Sequence, residues 1–422
     1  MTASPPSLGA ATRAWFAVSL QTFGGPAGQI AVMQRAFVDE RQWITQQRFL
    51  FALSYCTLLP GPEAQQLATY IGWRLHGLRG ALIAGTLFVI PGVVAMLALS
   101  VLYVTAGDTQ VIDALFLGLA PAVIAIVLQA LVRIGRRSLG HPSWVVIALA
   151  AFVAVAVFSV PFPLVILAAG LAGWAVGRRY PEVTAAPSVD DAPVARPRAR
   201  RAAKLLAIGV PLWLAPVAIA AAVFGVGSTV VDEGLFFSGS ALITFGGAYA
   251  VLSFVAQQAV VQHAWVSASE MIRGLALAET TPGPLIMVVQ FVAFLGAFHH
   301  PGDANRWAAA LAAALVTSWV TLVPSFLFIA VGAPYVEQLQ HLAGLRACLA
   351  GVTAAVVGVI ASLATYFARH TLFADVGDLT SLQLVPLLIT CVALVLVFLD
   401  WSVLRILGAC AGLGVVFGLL LR

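Results

Sequence analysis

Two short motifs supply chemistry to a chain otherwise poor in it. Gly24-Gly25 in TFGGPAGQ and Pro60-Gly61-Pro62 in CTLLPGP interrupt apolar helical stretches. Both return later, as Gly246-Gly247 in TFGGAYAV and Pro282-Gly283-Pro284 in AETTPGP. Glycine leaves backbone N–H groups open to close approach, and proline starts a helix where its missing N–H would go unused. The helix after each break therefore presents unpaired N–H groups and the positive end of its dipole. Four such starts inside a membrane can bind an oxyanion without a buried Lys or Arg. The neighbours able to donate to its oxygens are Thr22, Gln29, Thr57, Gln65 and Gln66, then Thr244, Thr280 and Thr281. For any single threonine, donation to a carbonyl of its own helix is the commoner arrangement. Gly and Pro also kink packed membrane helices without binding anything, so the anion reading rests on the recurrence of the motifs.

Two carboxylates lie beside these breaks. Glu63 follows the first Pro-Gly-Pro, and Glu279 precedes the second by three residues. Ionisable groups at membrane depth are costly and mark function, so both are candidates for taking up and releasing a proton. Glu63 is also suited to a plain structural role at a helix start. Arg35 and Asp39, four apart, suit an ion pair on one helix face, while Arg35 and Arg41 could draw an anion to an entrance. Arg74 either snorkels to the interface or reaches into the site. His76, His263, His299 and His300 lack metal-ligand spacing. Cys56, Cys348, Cys391 and Cys410 are far apart in apolar stretches. No metal, cofactor or disulfide is expected.

The elements that must position these residues come as a duplication. Residues 22–62 align with 244–284 at a constant offset of 222, Trp43 falling on Trp265. Ten of the 41 positions are identical, where average usage gives roughly three. The identities include Gly, Pro and Trp, the structurally demanding types. The carboxylates break the symmetry: Glu63 maps to Leu285, and Glu279 to Thr57. Internal repeats with broken helices are typical of transporter folds. The apolar arms around each break run about 10–15 residues against the roughly 20 of a full span, which predicts re-entrant hairpins or spans that unwind midway.

Composition sets the class. The chain is 61% hydrophobic and only 9% charged, against about 25% charged in soluble domains, so lipid must cover its surface. The net charge of +5 does not point to nucleic acid, because the arginines sit at the ends of apolar stretches and in one linker. The N-terminal segment shows no apolar core followed by a small-residue site, so no cleaved signal peptide is expected. Four spans are predicted in each half: near 78–104, 111–135, 144–160 and 161–177, then 305–332, 347–367, 383–399 and 402–421. An extra span lies near 205–226.

This gives an all-α integral membrane protein with an N-terminal repeat (1–177), a basic linker (178–204) and a C-terminal repeat with one extra leading helix (205–422). Each half carries two broken or re-entrant hairpins plus about four transmembrane helices. The linker is rich in Pro, Ala and charge, with seven Arg or Lys, which places it in the cytoplasm. The first half carries nine Arg or Lys and the second six. That bias, with the extra span, predicts inverted halves.

The motifs FGGPAGQIAVMQ, LLPGPEAQQLATYIGW, TFGGAYAV and AETTPGP resemble those of the chromate ion transporters, in particular the long two-domain bacterial members. The resemblance covers both halves. It implies an inner-membrane, multi-pass protein that exports chromate from the cytoplasm, driven by the proton-motive force, and confers chromate resistance. It draws attention to Gly24, Gly25, Pro26, Gln29, Arg35, Trp43, Pro60, Gly61, Pro62, Glu63 and Gln66, and to Gly246, Gly247, Glu279, Thr281, Pro282, Gly283 and Pro284. Sulfate is a tetrahedral dianion of similar size, so a sulfate transporter stays open, as does a passive anion channel. A chromate-reducing enzyme is disfavoured, since no flavin, haem or thiol-pair site is recognisable. A homodimer is a candidate assembly.

Overall fold

The computed structural model describes residues 6–23, 25–57, 59–107, 109–181, 199–245, 247–333, 342–375 and 378–420. Gly24, Gly246 and most of the linker lie outside them. The first half comprises α1 (Leu8–Ser19), α2 (Gly25–Gln34), α3 (Gln46–Cys56), α4 (Glu63–Ala106), α5 (Gln110–Ser138), α6 (Pro142–Ala156) and α7 (Phe162–Arg179). Helix α8 (Ala199–Phe224) stands between the halves. The second half comprises α9 (Thr229–Ile243), α10 (Ala248–Ala256), α11 (Ala268–Thr280), α12 (Val288–His299), α13 (Arg306–Gly332), α14 (Ala343–Leu372), α15 (Leu384–Phe398) and α16 (Val403–Leu420). Among the described residues, seven helices are long and apolar enough to cross a membrane: α4, α5, α7, α8, α13, α14 and α16. The spans expected near 144–160 and 383–399 form the shorter apolar helices α6 and α15.

The duplication extends to backbone geometry. Gly25 and Gly247 share positive φ (71° and 93°), as do Gly61 and Gly283 (122° and 96°). Gln42 and Ala264 share it too, at 52° and 50°, although neither is glycine. A left-handed non-glycine residue costs roughly 1–2 kcal/mol. Its recurrence at the same offset marks one preserved turn, fixed by Trp43 N–H donating to Phe37 (2.8 Å) and Trp265 N–H to Ala259 (2.8 Å). A π-helical turn precedes it in each half, Arg35–Glu40 and Gln257–Gln262.

Beyond the Pro-Gly-Pro breaks the halves differ in length. Within α4 the chain leaves helical geometry at His76 and Gly77 (φ 59°). There it doubles back so tightly that a Cβ on Gly72 would collide with Gly80 and Ala84. The second half makes the same passage through a loop, residues 300–305. The next landmarks, Pro91-Gly92 in α4 and Pro324-Ser325 in α13, are therefore 233 apart. Pro324 has no N–H for the Val320 carbonyl one turn earlier, and the Trp213 indole of α8 donates to it instead (2.7 Å).

The halves interlock. Helix α14 lies against α5, α6 and α7, and α15 and α16 lie against α5. Crossings are set by small residues, as expected where lipid offers no hydrophobic drive for helix association. At α7–α14, for example, a Cβ on Gly173 would sit 2.7 Å from the Cα of Gly351. Large side chains such as Leu164, Leu167 and Leu171 of α7 stay exposed and suit contact with acyl chains. The ion pair expected between Arg35 and Asp39 is not among those of the described residues. At this end the pair is Arg41–Glu40 at 3.5 Å.

Candidate anion site at the helix breaks

The breaks meet in pairs across the two halves. Gly61 N–H donates to the Thr244 carbonyl at 2.7 Å, and Gly283 N–H to the Thr22 carbonyl at 3.0 Å. Each Pro-Gly-Pro is thus fastened just ahead of the other half's Gly-Gly. Side-chain amides add to the joint: Gln29 donates to the Gly283 carbonyl (2.5 Å), Gln65 to Leu322 (3.2 Å) and Gln290 to Val93 (3.0 Å). Gln66 donates locally, to Pro60 (2.6 Å).

With the Gly61 and Gly283 amides engaged, the open donors are those of the helix starts. Pro62 gives α4 no side-chain cap, and the first helical bond is Gln66 N–H to the Pro62 carbonyl. The amides of Glu63, Ala64 and Gln65 thus lie in the uncapped first turn, where Ala64 and Gln65 are buried. Helices α2 and α10 start at the Gly-Gly breaks, and α10 lacks a side-chain cap.

Each Gly-Gly start faces a carboxylate of the opposite half. A Cβ on Gly25 would lie 3.9 Å from Glu279 Oε2 and from the Tyr249 hydroxyl, and one on Gly247 would lie 3.9 Å from Glu63 Oε1. Glu279 is buried (2% exposed), and Tyr249 O–H donates to its Oε1 at 2.5 Å. Its Oε2 is buried with no hydrogen-bond partner among the described residues. A carboxylate at a helix start occupies the place that an oxyanion bound there would favour.

The threonine hydroxyls point elsewhere. Thr22 donates to Ser19, Thr57 to Ser54, Thr244 to Ser240, Thr280 to Leu277 and Thr281 to Ala278, all carbonyls of the preceding helical turn at 2.6–2.9 Å. Arg35 and Arg74 are exposed. They lie ten residues past Gly25 and eleven past Glu63, about 15 Å along their helices, and are not brought to the breaks. Pro60 and Pro282 are half-buried, whereas Pro62 and Pro284 are buried.

Three residues not singled out in the sequence join the site. The Ser325 hydroxyl is buried without a partner among the described residues, and a Cβ on Gly61 would lie 2.6 Å from it. In the mirror position, Gly92 meets Gly283, where a Cβ on Gly283 would lie 3.3 Å from the Gly92 Cα. Tyr249 is the third. The shared proline of Pro91-Gly92 and Pro324-Ser325 was the available signal, hidden by the shift in offset.

Comparison with known proteins follows this geometry. The family model described as chromate transporter matches residues 10–174 and again 232–415. A chromate transport protein of Pseudomonas aeruginosa is 33% identical over 358 residues, 83% of this chain and 79% of that protein. A chromate transport protein of Cupriavidus metallidurans is 28% identical over 87% of this chain and 84% of its own length. The uncharacterized transporter YwrA of Bacillus subtilis is 28% identical over 132 residues, 31% of this chain but 74% of its own length. No solved structure matches the chain. With both halves matched by one family model, the chain belongs to the chromate transporter family.

Proposed function

We propose that this multi-pass protein exports chromate from the cytoplasm across a bacterial inner membrane, driven by the proton-motive force, and thereby confers chromate resistance. Its halves are inverted repeats, with the linker on the cytoplasmic side. The observation that carries the reading is the cross-half pairing of the breaks, which gathers helix starts from both halves around buried Gly25, Gly61, Gly247 and Gly283. Amide donors there suit a tetrahedral dianion and need no fixed cation. Glu279 and Glu63 face the same helix starts, so protonation of a carboxylate changes the charge that the anion meets and ties transport to pH. Support for chromate comes from the relatives named as chromate transport proteins. The protein is a carrier and not an enzyme in this reading.

Chromate uptake into everted membrane vesicles tests it. Uptake should fall when the proton-motive force is removed, and collapsing the potential and the pH gradient separately apportions the drive. Strong competition by sulfate would move the substrate assignment to sulfate. Uptake that follows the chromate gradient alone, indifferent to both collapses, would identify a channel.

A further inference from the structure

Glu233, on the second turn of α9, plays no part in the site above. It is fully buried, and neither carboxyl oxygen has a hydrogen-bond partner among the described residues. Its Oε1 occupies the space left by Gly296 of α12, so that a Cβ on Gly296 would collide with it, and that same Cβ would lie 2.9 Å from the Cβ of Trp265. Trp265 leads outward: its carbonyl lies 3.4 Å from His299 Nδ1, and His299 Nε2 lies 3.6 Å from Glu270. The start of α9 is held to the same loop, with the Thr229 hydroxyl donating to the His300 carbonyl (2.7 Å). Glu233 therefore lies about one helical turn beneath a titratable surface cluster.

The other titratable groups around it are few. Asp232 precedes it on its own helix and is exposed. His263 stacks on Trp265 at 4.4 Å, and Arg306 at the start of α13 lies over Phe298. The part of α8 packed beside it, residues 211–224, carries no titratable group. Tyr249 of α10 is engaged with Glu279.

The duplication supplies a contrast. At the offset of 222, Glu233 corresponds to Ala11, His263 to Arg41, Glu270 to Arg48 and Gly296 to Arg74. The backbone frame is shared, Arg41 lying over Trp43 as His263 lies over Trp265. What is an arginine shell without a buried acid in one half is a histidine–glutamate shell over a buried acid in the other. Inverted halves put these shells on opposite faces: anion-attracting inside, proton-accepting outside.

We propose that Glu233 is a proton-loading site serving the outer face, reached through the His299–Glu270 pair. The proposal rests on the proton-coupled export reading. A proton from outer water adds to the Glu233 carboxylate to give the neutral acid, and it leaves to the opposite side as the empty carrier returns. Enclosing an unpaired carboxylate is costly, and the proton removes that cost, so closure over Glu233 follows loading.

The test uses the full chain in vesicles oriented as in everted membranes, with chromate as probe. Two fluxes are measured: chromate–chromate exchange, and uptake driven by an acidic lumen. E233Q should keep exchange within about two-fold of wild type and lose gradient-driven uptake at least ten-fold, and H299Q should slow the driven flux alone. If E233Q retains both fluxes, or loses both while still inserted, the proposal is overturned and Glu233 is a packing residue. If wild type itself ignores the pH gradient, the coupling reading fails and takes this proposal with it.

Discussion

The amide of Gly61 donates across the two halves to the carbonyl of Thr244, at 2.7 Å, and Gly283 repeats the contact with Thr22. Both pairs are separated from their counterparts by 222 residues, so one backbone contact is made twice across the site. Each break is positioned by the other half as well as by its own helix.

Gly61→Val and Gly283→Val should therefore abolish transport in protein that still inserts. Both positions need φ near +100°, which a β-branched residue adopts only at a cost of roughly 1–3 kcal/mol. Valine at 61 also meets Ser325 and Gln66, and at 283 it meets Gly92. Vesicle uptake should drop more than ten-fold, with membrane insertion checked by detergent extraction and size-exclusion chromatography. Normal uptake in both variants would remove the breaks from the mechanism.

Ser325→Ala should weaken substrate binding without unfolding the protein. The hydroxyl is buried beside Gly61 with no partner among the described residues, which leaves it free to donate to a substrate oxygen in the proposed site. Losing one hydrogen bond worth about 1 kcal/mol raises KM roughly five-fold at unchanged maximal rate. An unchanged KM would place the substrate elsewhere.

Glu279→Gln should flatten the pH dependence of chromate KM, because the titrating carboxyl opposite Gly25 is gone. Tyr249→Phe removes the hydroxyl that donates to it and should displace the midpoint of the same profile by about one pH unit. Identical profiles in all three proteins would exclude Glu279 from coupling.

Reporter proteins fused after residues 80 and 302 should label opposite sides of the membrane. Same-side labelling would reject inverted halves, and with them the separation of the arginine and histidine–glutamate shells.

The breaks and the duplication were legible because they are written in glycine, proline and tryptophan, types whose geometry is nearly decided by identity. Gln42 and Ala264 show the limit: both hold the same left-handed turn, yet nothing in either residue type announces it. Ser325 and Gly92 were missed for a positional reason, since the loop at 300–305 shifts the register from 222 to 233. The threonines looked like donors, but the helical turn before each one offered a nearer carbonyl. Arg35 and Asp39 had the spacing of an ion pair, but both are exposed, where pairing gains little. Nothing in the sequence sets Glu233 apart from its neighbour Asp232, and only the packing of Gly296 against it shows how deep it lies.

The twin amide bonds also have a mechanical meaning. They fasten the halves at two points related by the offset of 222. In the proposed transport cycle, a joint of that kind would resist pulling the halves apart while letting them tilt about it.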